Sequence, residues 1–218
     1  MKHHHHHTVM HQQERLSDFM ERPLSLSFLK YISDQASLVI PCHTTTKTTH
    51  TVVPPLSNFI NFLVRRSTVG PGTLLAVLVL LDRLRNRLAP IAKGMPCTRQ
   101  RIFLATLIVT CKLLNDTAPK NRHWTHYAHY FTVEEINLME KQLLALLDFE
   151  LSISLNDLYT MLIRFELSHT STSSMITASS CKKTLVNATN SMIIGTSSIH
   201  QHIPGVCGNQ RSLRRLPP

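Results

Sequence analysis

Apolar residues recur at helical spacing through most of residues 26–166, and no stretch alternates with the period of a strand. Phe28, Leu29, Ile32, Ala36 and Val39 form one stripe after Pro23 and predict a helix from Leu26 to about Ile40. The run "HTTTKTTHTVVPP" then breaks all periodicity and reads as a loop or linker. Beyond it, Pro54–Pro55 opens a helix carrying Phe59, Ile60, Phe62 and Leu63, which "VGPG" stops. Thr73 stands where an N-cap belongs for a second helix, running through "LLAVLVLL" and "DRLRNRL" to Leu88. The third, from Pro96–Thr98 to about Asn115, is apolar nearly all round, which is the profile of the buried centre of a bundle. A short aromatic helix is expected at Arg122–Tyr130. "TVEE" then supplies a capping box, Thr132 with Glu135, for a helix to about Phe149. A last helix covers about Asn156–Glu166. The fold class is all-α: a five-helix bundle over residues 54–166, behind an N-terminal extension (1–53) with one helix. From Leu167 to Pro218 the chain is Ser/Thr-rich, without periodicity, and is expected to be a disordered tail.

Charge adds little to this picture. The net charge is +10, but residues 1–42 balance four bases with four acids, and the tail holds five bases and no acid. Half of the excess therefore lies outside the predicted domain, as a solvated segment more than as a phosphate-binding face. Five cysteines, odd in number and without CxxC spacing, suit reduced thiols. Nothing at the start reads as a signal peptide, and Leu74–Leu81 is too short an apolar run to span a bilayer. The expected setting is a soluble, reducing compartment, nucleus and cytoplasm, with no membrane contact. The opening "KHHHHH" fits a purification tag, a native His-rich start or a weak chelator equally. No Walker loop, GxSxG, HExxH or glycine-rich loop occurs, so the chain reads as a non-enzyme with no cofactor and no catalytic residue.

Three charges interrupt the stripes. Lys112 shares a helix face with Ala105, Ile108 and Val109, while the polar side of that helix, Thr106 and Thr110, lies elsewhere on the wheel. Glu140 stands in the stripe Ile136, Leu143, Leu147, and Asp82 directly follows "LLAVLVLL". A carboxylate in apolar surroundings must be paired or well hydrogen-bonded. One reading has these charges reaching solvent or pairing with each other for structural reasons. The other has Lys112 and Glu140 as a docking pair for a partner's backbone. His123, His126 and His129 recur every three residues but lack a further ligand at suitable spacing, so no metal is assigned. Trp124 is read as the anchor of the short helix.

The stretch "LLDRLRNRLAPIAKGMPCTRQRIFLATLIVTCKLLNDTAPKNRHW", followed by "EEINLMEKQLLALLDFEL", resembles the cyclin box of the fungal PCL-type cyclins. The resemblance implies a regulatory subunit that binds and activates a cyclin-dependent kinase of the phosphate-pathway type, as a heterodimer acting on kinase substrates in cell-cycle or polarity control. It also implies that Lys112 and Glu140 grip the kinase beside its mobile regulatory helix, and that Asp82 is structural. The Met-Arg-x-x-Leu substrate-docking patch of other cyclins has no counterpart in "PPLSNFINFLVRRS", which leaves Asp82 without an assigned Arg partner. The alternative is a cyclin-fold adaptor that binds nucleic acid, for which "LVRRS" and "DRLRNR" are separate, small clusters.

Overall fold

The computed structural model describes residues 2–42, 53–88, 92–95 and 97–180, with side chains between Val9 and Thr170. Residues 1–176 form one compact unit, and most of a second, 177–218, lies outside the described residues. Eight helices make up the described chain: α1 (Lys2–Glu21), α2 (Leu26–Leu38), α3 (Leu56–Ser67), α4 (Pro71–Leu88), α5 (Thr98–Leu114), α6 (Asn121–Ala128), α7 (Val133–Leu146) and α8 (Leu155–Ser180).

At the centre is α5, which touches α2, α3, α4, α6 and α7. Every residue from Phe103 to Cys111 is buried, so the all-round apolar pattern has its expected place. The two threonines read as its polar side are buried as well. Their hydroxyls donate back to carbonyls one turn earlier, Thr106 to Ile102 at 2.8 Å and Thr110 to Thr106 at 2.7 Å. That internal bond is what lets a hydroxyl enter an apolar core. Burial also pushes the Cys111 thiol up to about 11. Leu74–Leu81 of α4 is likewise buried throughout.

Helix starts and stops depart from the sequence reading in four places. First, α4 begins at Pro71, whose fixed φ suits the first helical position, so Thr73 lies inside the helix and caps nothing. The preceding helix ends at Ser67 and is capped by Thr68 in the left-handed conformation at φ 51°. Second, α7 ends at Leu146 instead of Phe149, because Asp148 and Phe149 both adopt positive φ, 48° and 58°. Third, α8 continues to Ser180, fourteen residues beyond the expected Glu166 and into the segment read as a disordered tail. Its start is capped reciprocally: Ser154 N donates to Asp157 at 2.9 Å and Asp157 N to the Ser154 hydroxyl at 3.1 Å. Fourth, α1 was not foreseen, since Leu16 and Phe19 alone make too sparse a stripe. Leu16 is nonetheless fully buried, and Phe19 meets Phe28 and Phe165 edge-on at 5.1 and 6.1 Å. Arg15 pairs with Glu166, tying α1 to α8. Residues 43–52 of the expected linker and the tail beyond 180 lie outside the described residues.

The lead-in to α5 is fixed by a short parallel bridge, Cys42 to Gly94, with Gly94 N donating to Pro41 O at 2.9 Å. A Cβ at Gly94 would lie 2.7 Å from the Cys42 sulfur and 3.1 Å from Thr98 Cβ, so any larger residue would have to displace those side chains. Arg99 Nε adds a bond to Ile40 O at 3.0 Å.

Candidate partner-binding site

Lys112 is the last charged residue of α5, placed there by the buried run before it. Glu140 sits midway along α7, whose first turn is held by the capping box: Glu135 N donates to the Thr132 hydroxyl at 3.2 Å and Thr132 N to Glu135 at 3.0 Å. The Thr132 N–H bond, with Arg101 beside it, holds the Glu135 carboxyl below its usual range. The same arginine pairs with Glu135 and lies over the Phe131 ring at 5.0 Å, which pins α7 to α5 near both N-termini.

The two helices bring Lys112 and Glu140 together, Nζ to Oε1 at 2.5 Å. The pair is neither sealed nor free: the side chains are 38% and 16% exposed. Ala105, Ile108 and Val109 beneath Lys112 are buried, as are Ile136, Leu143 and Leu147 around Glu140. The charged atoms thus stand at the edge of an apolar floor. Leu113 and Leu114, directly after Lys112, are exposed, and Leu144, one turn after Glu140, is half-buried. Between α5 and α7 runs a groove of about 250 Å³, lined by Ile40, Leu88, Ala105, Met139, Leu143 and Leu146. Exposed leucines beside a partly desolvated ion pair are what a protein-binding patch presents.

Asp82 stands apart from this site. Its partner is Arg164 of α8, at 3.3 Å, with side chains 32% and 52% exposed. The arginine that α3 failed to supply comes from a helix eighty residues later. Trp124 is fully buried, donates from Nε1 to Pro119 O at 3.3 Å and meets Tyr127 edge-on at 5.4 Å. It seats α6 against the bundle. His126 and His129 meet Arg66 of α3, through the His126 carbonyl (2.9 Å) and the His129 ring. Among the described residues no three His, Cys, Asp or Glu side chains gather as metal ligands.

Sequence reasoning missed two residues here. Asn121, the first residue of α6, donates from Nδ2 to Glu140 Oε2 at 2.6 Å and to Asn137 Oδ1 at 2.7 Å. Phe149 is 70% exposed on the turn after α7. Arg87 grips Asp148 and Glu150 on either side of it, and Arg83 donates to Glu150 O at 3.2 Å and pairs with Asp157 at 3.2 Å. No periodic signal marks a polar residue that opens a short helix. For Phe149 the one legible cue was an aromatic flanked by acids where the stripe of α7 runs out.

Residues 30–152 match the family "Cyclin, N-terminal domain". Three proteins of Saccharomyces cerevisiae are similar: PHO85 cyclin-2, 35% identical over 72% of this chain and 52% of its own length; PHO85 cyclin-1, 38% over 64% and 53%; and PHO85 cyclin-9, 32% over 70% and 51%. The chain spans about half the length of these relatives. No solved structure matches it.

Proposed function

The chain belongs to the family of the cyclin N-terminal domain, and on that premise we propose that it is a regulatory subunit that binds and activates a cyclin-dependent kinase of the PHO85 type. The similar yeast proteins, each a PHO85 cyclin, support this choice of partner. The observation that carries the reading is the partly exposed Lys112–Glu140 pair at the edge of an apolar floor. Lys112 retains N–H donors that Glu140 does not use, and the carboxylate retains lone pairs, so both can meet the backbone of a docked segment. Leu113, Leu144 and Phe149 supply apolar area for the helix that follows.

The action requires binding energy and no bond chemistry by this chain. In the active kinase a glutamate of the mobile helix meets the catalytic lysine. A rigid surface that prefers the swung-in helix shifts its population, and a bias of about 5.5 kcal/mol converts 1:99 into 99:1. The proposal extends to action on kinase substrates, to a role in cell-cycle or polarity control, towards which the overall likeness of the box leans, and to a nuclear and cytoplasmic setting. None of the described helices is long and apolar enough to cross a membrane. The nucleic-acid reading has less support, because Arg83 and Arg87 of "DRLRNR" are taken up by Asp157, Asp148 and Glu150.

Charge reversal tests the proposal. Lys112→Glu and Glu140→Lys should each fold, yet weaken kinase activation on the order of a hundredfold at matched concentrations. The double swap restores an internal pair and, with its polarity inverted, should still fail to activate. Full stimulation by both single variants would remove the assignment.

A further inference from the structure

The Lys112–Glu140 pair has a third member. Asn121 binds the carboxylate oxygen that Lys112 leaves free, so Glu140 is held by α5 through Oε1 and by α6 through Oε2, at 2.5 and 2.6 Å. The orientation of the amide is forced. With Nδ2 donating to both Glu140 and Asn137, Oδ1 is buried and accepts no hydrogen bond from any of the described residues. Turning the amide over would place Oδ1 against a carboxylate oxygen at the same short distance, where two acceptors repel. The fold carries a buried unpaired acceptor, normally a costly feature, in order to keep the donor on Glu140. Asn121 in turn is placed by what lies on either side: Pro119 O accepts from the Trp124 indole, and Trp124 is fully buried.

We propose that Asn121 is a positioning residue for kinase binding: it locks the Glu140 carboxylate in the orientation that a docked backbone meets, and couples the seating of α6 to the grip of α5 and α7. This rests on the docking role proposed for Lys112 and Glu140. Preorganisation of this kind lowers the ordering cost of association. It acts on affinity, and once the complex is saturated the kinase sees the same surface.

The test titrates a PHO85-type kinase with the wild-type chain, Asn121→Ala, Asn121→Asp, Glu140→Gln and the double variant Asn121→Ala/Glu140→Gln, beside Lys112→Glu. Asn121→Ala should raise the concentration for half-maximal activation about tenfold, with the plateau reached at higher concentration. Asn121→Asp keeps the shape, loses the donors and sets a second carboxylate beside Glu140, so it should be worse than alanine. On the Glu140→Gln background the alanine change should add less than about twofold, because residues acting through one group are not additive. A purely structural Asn121 would instead lower the melting temperature and add its full effect to Glu140→Gln, which overturns the proposal. So would wild-type behaviour of both Asn121 variants while Lys112→Glu fails to activate. If Lys112→Glu and Glu140→Gln also activate normally, the docking role itself is wrong and the role of Asn121 falls with it.

Discussion

Two acid–base pairs that look alike along the chain differ in how the fold treats them. Asp82 follows an apolar run in α4 and meets Arg164 at 3.3 Å, with the two side chains 32% and 52% exposed and no brace on the carboxylate among the described residues. Glu140 interrupts an apolar stripe in α7 and is 16% exposed, with one oxygen on Lys112 and the other on Asn121. The first is a strap between two helices, worth at most about 1 kcal/mol at that exposure. The second is a carboxylate fixed at both oxygens on the surface where two helices meet. A charge on an apolar face thus has a function only when its surroundings define its direction.

Three measurements sharpen this contrast, from the largest effect downwards. Trp124→Ala should cost about 3–5 kcal/mol in denaturant unfolding, the usual range for removing a buried tryptophan. Because it unseats α6, kinase activation should fall further than stability alone explains, and an activation loss that merely tracks the folded fraction would separate Asn121 from Trp124. Next, Thr132→Ala and Ser154→Ala each remove a helix cap and should cost about 1 kcal/mol. Their partners Glu135 and Asp157 are both held below the usual carboxylate range, mainly by backbone hydrogen bonds from Thr132 and Ser154. The unfolded chain therefore takes up these protons first. The stabilisation is complete at neutral pH and lost as pH falls through the carboxylate range, so the acid unfolding curve of the wild type should flatten in Glu135→Gln or Asp157→Asn, whereas Thr132→Ala, which keeps its backbone N–H, should retain most of that pH dependence. Smallest is Asp82→Asn: less than about 1 kcal/mol in thermal unfolding and under twofold in kinase activation. A loss of the size expected for Glu140 would collapse the distinction between the two pairs.

Much of the fold was legible from periodicity. The buried centre, α5, announces itself because apolar residues cover its whole circumference, and the capping box before α7 is visible as Thr132 with Glu135. The misreadings share a cause. Thr73 resembles a cap, but Pro71 begins a helix one turn earlier at no cost in donors. Thr106 and Thr110 resemble a wet face, but each hydroxyl is satisfied by its own helix. At its start the chain hides α1 because periodicity measures burial, and among the described side chains of that helix Leu16 alone is fully buried.

From its own letters the chain determined that it would be helical, where most helices lie, and that three charges stand among apolar neighbours, because periodicity and capping act within about four residues. Only the tertiary structure decided which charge meets which. Arg164 reaches Asp82 from across the bundle, and Asn121 closes on Glu140 from α6. Such pairings depend on crossing angles and helix seating set by the packed core as a whole, and the partnership at Glu140 is the one from which the proposed function follows.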